Sequence, residues 1–290
     1  MRLFVLVILV LIAFAGNSVL NRLALVGDGA IGALEFAMIR VLAGALVLAV
    51  LVKLRDRSRG TEAARRVPSG TELRAAGALA LYLLGFSLAY LSLPAGLGAL
   101  ILFGGVQITM FVGAVLGGEQ VPPARWAGSI LAMGGLVYLL WPSGAGAPDP
   151  LGSVLMGAAA LGWGVYSLIG RGSRDPLADT ARNFLFAVVP VGVAMFVAAI
   201  VTEGGGLVPL RGILLGVLSG AVTSGLGYAL WYAVLPKLSP SVAAVGQLTV
   251  PLIAMAGGMV FLAEPLTMRF VIASVIVLGG VALAVLVRRA

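Results

Sequence analysis

Apolar residues run almost unbroken along the chain, in stretches of about 20 separated by short polar or proline- and glycine-containing breaks. Crossing ~30 Å of hydrocarbon takes about 20 apolar residues in a helix, whereas a membrane strand needs only about 9–11 alternating ones. The run lengths therefore predict helices near 3–25, 31–52, 73–92, 95–117, 126–141, 151–170, 182–202, 211–235, 240–262 and 269–287. Asp28-Gly29, Pro122-Pro123 and the stretch from Pro142 to Pro150 mark breaks. The shortest connections, Ser92 to Ala95 and Lys237 to Pro240, require antiparallel neighbours. The expected fold is an all-α integral membrane protein with ten transmembrane helices, and no length remains for a soluble domain. Ala13-Phe14-Ala15 imitates a signal-peptide cleavage site, but the apolar run continues past it, so this segment is expected to stay as the first span.

Composition sharpens the class. Of 290 residues, 61% are apolar and 10% charged, against about 25% charged in soluble domains, which excludes a water-soluble enzyme. The net charge of +8 lies mostly in connections between apolar runs. Arg22, Arg211 and Arg269 fall on one side of the ten spans and Arg40 lies within one, while the rest of the 19 Lys and Arg fall on the other side. The positive-inside rule then puts both ends in the cytoplasm. The basic loop from Lys53 to Arg74 reads as a topology determinant near anionic lipid, not as a nucleic-acid site. With no cysteine and no histidine, disulfides, thiolate chemistry and histidine relays or metal sites are excluded. No cofactor is expected, and no GxxxxGK[ST] motif offers direct use of ATP.

The chain also repeats itself. Phe14 to Arg22 aligns with Trp163 to Arg171, Gly85 to Pro94 with Gly227 to Pro236, and Glu119, Ser129 and Gly134-Gly135 with Glu264, Ser274 and Gly279-Gly280. Three blocks recur in one order, dividing the chain into halves at 1–142 and 151–290. Five spans per half is an odd number, so the second half must enter the membrane in the opposite sense. Inverted repeats belong to secondary transporters, with substrate held between the halves near the midplane.

At these blocks the sequence resembles the EamA family of the drug/metabolite transporter superfamily, and within it the ten-span YddG-type amino-acid exporters. Gly118-Glu119, Ser129 and Gly134-Gly135, their counterparts from Ala263-Glu264 onward, and Arg40 carry the resemblance. It implies a 5+5 fold and export of a small organic solute across the plasma membrane, with membrane lipid the other partner. It leaves the oligomeric state open.

Among single residues, Arg40 lies about 13 Å into the second span by helical rise, where a charge costs at least ~2.5 kcal/mol unless paired or hydrated. It reads either as a cavity cation for a carboxylate or phosphate, or as a structural pair. Glu35, shallower, is expected to answer Arg22. Asn17, Tyr82, Tyr90, Gln107, Trp163, Tyr166, Tyr228, Trp231 and Gln247 are the candidate binding surface, because buried amides need partners and aromatic rings suit an organic solute. Trp126, Tyr138 and Trp141 read instead as an interfacial belt. Pro94, Gly98, Gly104, Gly105, Pro251 and Gly257 are candidate hinges or close-packing points. Glu119 and Glu264 are expected in a structural role, capping the helix that follows each. The absence of histidine and of any acid deep in a span points to facilitated diffusion. A nucleotide-sugar or other metabolite or drug carrier, and a lipid-handling membrane protein, remain the alternatives.

Overall fold

A computed structural model of the chain describes residues 2–60, 69–118, 121–141, 147–171, 173–202, 208–234 and 249–286, with Lys237 and Gln247 besides. Helices α1 (Arg2–Leu25), α2 (Ala33–Arg59), α3 (Gly70–Ala89), α4 (Ala95–Leu116) and α5 (Pro123–Leu140) are followed by α6 (Pro150–Gly170) and α7 (Pro176–Thr202). Next, α8 (Leu210–Leu218) passes through a π-helical stretch, Ser219–Leu226, into α9 (Gly227–Val234). Helices α10 (Val250–Leu262) and α11 (Met268–Leu286) close the described chain. Among the described residues there is no strand, and seven rods are long and apolar enough to cross a membrane. Helices α10 and α11 are shorter apolar ones. Outward-facing Leu46, Val154, Val189, Phe196, Val260 and Val275 are each more than half exposed, as a lipid-facing surface requires.

Local chemistry explains the helix boundaries. Helix α3 begins at Gly70, earlier than apolarity alone predicts, because Ser69 and Glu72 form a reciprocal capping box. Asp175 does the same for α7, accepting from the Ala178 amide at 3.2 Å and moving its start ahead of residue 182. Asp149 accepts from Gly152 at 2.6 Å, and Pro150 occupies the first turn of α6, where a missing N–H costs nothing. Helix α2 runs past its apolar stretch to Arg59 and stops at Gly60 in the left-handed conformation. Of the expected ninth span, the described helix is Val250–Leu262, and most of the earlier part lies outside the described residues.

The helices pack in a repeating pattern. Helix α3 lies against α6 and α7, and α2 against α7 and the α8–π stretch. Helix α4 meets α6 and α10, while α1 meets α10 and the whole rod from α8 to α9. Helix α5 crosses α11. That last crossing brings backbones together: a side chain on Gly128 would meet Gly280, and one on Gly280 would meet Gly128 and Ala132.

Candidate functional site

Buried polar side chains of α1, α3 and the π-helical stretch gather around Arg40. In the first third of α2, it is fully enclosed. Its Nε donates to Ser224 Oγ at 3.1 Å and its Nη2 to Tyr82 Oη at 2.8 Å. The guanidinium also lies over the rings of Tyr82 (5.1 Å) and Phe86 (4.9 Å). Arginine stays charged in proteins, yet among the described residues no carboxylate pairs with it, and Nη1 has no hydrogen-bond partner. A buried charge without a counter-ion is expensive.

Asn17 of α1 completes the cluster. Its Nδ2 donates to the same Tyr82 oxygen at 3.2 Å, and its Oδ1 accepts from Ser219 (2.7 Å) and Thr223 (3.1 Å). The π-helical stretch makes this possible. One extra residue per turn re-aims side chains, and Ser219, Thr223 and Ser224 all turn inward and are buried. One turn along α1, Asn21 donates to Ser87 at 3.1 Å.

Aromatic rings surround the polar core. Trp163 lies 5.0 Å from both Tyr82 and Tyr228 and 5.5 Å from Tyr166. Tyr228 also meets Phe14 (5.9 Å) and Phe184 (5.8 Å), and Phe14 meets Trp231 at 5.8 Å. Phe14 and Trp163, aligned positions of the sequence repeat, thus touch one tyrosine. Tyr90 sits at the edge: its ring meets Phe86 at 4.8 Å and packs on Gly98, and its hydroxyl donates to the Ala95 carbonyl at 3.2 Å. Gln107 is half-buried on α4, and Gln247 stands among residues outside the described ones; no hydrogen bond among the described residues ties either to Arg40. Trp126, Tyr138 and Trp141 are exposed near the ends of α5.

Several sequence expectations are corrected. Arg22 does not answer Glu35. It donates to the carbonyls of Tyr90 (2.7 Å) and Leu91 (2.8 Å) and pairs with Glu264 at 3.7 Å. Glu35 folds back on Gly32 at the start of its own helix. Glu264 does not cap the helix that follows it. Its two oxygens accept from the Ala95 amide at 3.0 and 2.8 Å, at the first turn of α4, while Thr267 caps α11. Burial raises the Glu264 carboxyl, and the Ala95 N–H and Arg22 pull it back down. Glu119 lies outside the described residues. Pro251 stands in the first turn of α10 and does not interrupt it, and Pro94 precedes the first turn of an unbroken α4. Gly98, Gly104, Gly105 and Gly257 stand where Tyr90, Val277, Ala160 and Val19 respectively approach their backbone. Irregularity lies instead in Ser219–Leu226 and at Pro190 inside α7.

Polar ties join the two sequence halves at both ends of the bundle. At the end bearing Arg22, Glu264 binds Arg22 and Ala95, and Arg211 donates to the carbonyls of Leu23 (3.0 Å) and Asp28 (2.8 Å). At the other end, Arg182 bridges Glu72 (2.7 Å) and Asp179, and Arg55 bridges Asp175 (2.6 Å) and Asp56 (2.8 Å). Asp175 is held below its ordinary value, first by the Arg55 hydrogen bond.

Similar proteins agree with this architecture. The model of the EamA-like transporter family matches residues 150–286. An uncharacterized protein of Pseudomonas aeruginosa is 44% identical over 284 residues, covering 97% of this chain and 94% of that protein. An uncharacterized transporter of Archaeoglobus fulgidus is 27% identical over 179 residues, 61% of this chain and 62% of its own length. A protein crystal structure aligns with a TM-score of 0.64 over 95% of this chain and 97% of that one, at 21% identity, a likeness of fold.

Proposed function

The chain belongs to the EamA-like transporter family, multi-pass membrane proteins that move small solutes, and from that premise we propose that it exports amino acids, aromatic or neutral, across the plasma membrane by alternating access. The observation that supports the substrate class is the enclosed Arg40 guanidinium, with no carboxylate beside it among the described residues and one nitrogen unpartnered. A solute carboxylate supplies both the charge and the acceptor. The rings of Tyr82, Trp163 and Tyr228 around it suit an apolar or aromatic body. A nucleotide sugar would call for more cations, and among the described Lys and Arg only Arg40 is buried.

The helix pairing supports two oppositely inserted halves. Exchange α1 with α6, α2 with α7, α3 with the α8-to-α9 rod, α4 with α10 and α5 with α11. The α3–α6 contact then becomes α1 with the rod, α2–rod becomes α3–α7, and α4–α6 becomes α1–α10. Pairs α2–α7, α4–α10 and α5–α11 map onto themselves. Two such halves have two near-equivalent packings, one open to each side. Both termini are assigned to the cytoplasm on the placement of Lys and Arg.

Uptake of labelled phenylalanine, tryptophan, leucine and alanine into proteoliposomes tests the proposal, with and without a pH gradient. Saturable flux of one of them, indifferent to the gradient, is expected. No saturable flux of any would overturn the substrate, and gradient-dependent flux would overturn facilitated diffusion.

A further inference from the structure

Guanidinium geometry adds a point to the Arg40 cluster. A carboxylate can take a guanidinium with both oxygens at once in two ways, on Nε with Nη2 or on Nη1 with Nη2, so Nη2 belongs to either grip. Ser224 Oγ accepts from Nε at 3.1 Å, Tyr82 Oη accepts from Nη2 at 2.8 Å, and Nη1 has no partner among the described residues. The pair Nη1 and Nη2 therefore carries one described oxygen, the phenol of Tyr82, where a carboxylate would bring two. That phenol is not committed to Arg40 alone, since Asn17 Nδ2 donates to it at 3.2 Å. Ser224 is placed differently. It belongs to the π-helical stretch, which lies directly on α2: a side chain on Gly220 would meet the Arg40 carbonyl and Ala43. Fully buried, Ser224 thus holds Nε from an element packed against the Arg40 backbone.

We propose that the Tyr82 hydroxyl is a placeholder on Arg40. It yields Nη2 to the carboxylate of the transported amino acid, which grips Nη1 and Nη2 together, while Ser224 keeps Nε and sets the plane of the guanidinium. The inference rests on the carrier reading and gives its substrate a mode of binding. A neutral phenol oxygen accepts more weakly than a carboxylate, so the exchange favours the solute. The displaced phenol keeps the Asn17 donor, so it is not left buried without a partner. Tyr82 thus holds affinity down by competing, and Ser224 holds it up by positioning. The exchange also has a mechanical result. Arg40 ties α2 to α3 through Tyr82 and to the π-helical stretch through Ser224. Solute binding cuts the first tie and spares the second.

The full chain in lipid nanodiscs is titrated calorimetrically with phenylalanine and with phenylalaninol, whose alcohol replaces the carboxylate. Tyr82→Phe is expected to bind phenylalanine about tenfold more tightly than the unaltered protein, the size of one hydrogen bond to a charged group that no longer has to be displaced. Phenylalaninol, with no second oxygen for the grip, binds both proteins alike. Ser224→Ala shifts phenylalanine the other way, about tenfold weaker, and Ser224→Thr, which keeps a hydroxyl, restores it. A merely structural tyrosine would not tighten binding when truncated. Melting curves check folding, and Tyr82→Met, also without the hydroxyl, stands in if Tyr82→Phe does not fold. Unchanged affinity in the Tyr82 variant overturns the proposal, since the solute then leaves the phenol in place. Weaker affinity overturns it too, making the phenol a direct partner of the solute. Either result beside saturable amino-acid flux sinks the placeholder alone. Tightened phenylalanine binding without flux of any amino acid sinks the carrier reading alone. No phenylalanine binding overturns the proposal, whatever the flux of other amino acids.

Discussion

Arg40 holds its place through three weak compensations, Ser224, Tyr82 and the ring of Phe86, where one carboxylate would have served. Evolved interiors rarely leave a guanidinium so. Arg40→Ala is expected to lower transport at least about tenfold, as the loss of one charged hydrogen bond implies, while membrane insertion stays intact. Unchanged kinetics in proteoliposomes would return Arg40 to a structural role. Much of this cluster was readable in advance. Arg40, Asn17, Tyr82, Trp163 and Tyr228 are conspicuous because charge, amide or ring is costly or unusual in hydrocarbon. Ser219, Thr223, Ser224 and Phe86 were not singled out. A hydroxyl in a membrane helix can satisfy itself on its own backbone, as Thr223 also does with Ser219, and a phenylalanine among leucines carries no signal.

Individual helices were legible in class and order more than in detail. Starts at Gly70 and Pro176 depend on Ser69 and Asp175, single polar residues whose capping role an apolar count does not register. The π-helical stretch has no proline to announce it, whereas Pro94 and Pro251, which invited a hinge reading, sit harmlessly at helix starts. Asp175 offers a test at this scale. Its carboxyl lies below its ordinary value of 3.8, chiefly through Arg55 and then through the Ala178 N–H. A carboxyl lowered on folding contributes stability that is complete above the unfolded value and is lost as acid reaches the folded one. Thermal stability of the purified protein should therefore fall on acidification below about pH 4, and Asp175→Asn should lose the corresponding part of that fall. An identical acid profile in the variant would mean the tie adds nothing.

At the scale of the molecule, the sequence did not announce how distant segments of the chain are tied. The Glu264 carboxylate meets the Ala95 amide across 169 residues of chain, and no spacing rule foresees such a contact. This tie is expected to help hold one end of the bundle shut. Glu264→Gln keeps an acceptor for Ala95 and removes the charge facing Arg22. The chain has no cysteine, so a single Asn21→Cys, buried and next to Arg22 in the chain, reports opening directly. Its labelling by an impermeant thiol reagent should rise at least about threefold when Glu264→Gln is added, the scale of a surface-type ion pair. Equal labelling would show that other contacts, such as those of Arg211, keep that end closed.

That no counter-ion faces Arg40 among the described residues has a kinetic corollary. Under the proposed alternating access, an unloaded protein swings between two packings with an uncompensated guanidinium at its centre, whereas one with a carboxylate aboard swings with that charge paired. The vacant return stroke is then the slow half of the cycle. Solute placed in the opposite compartment should accelerate efflux, making the protein behave more as an exchanger than as a one-way valve.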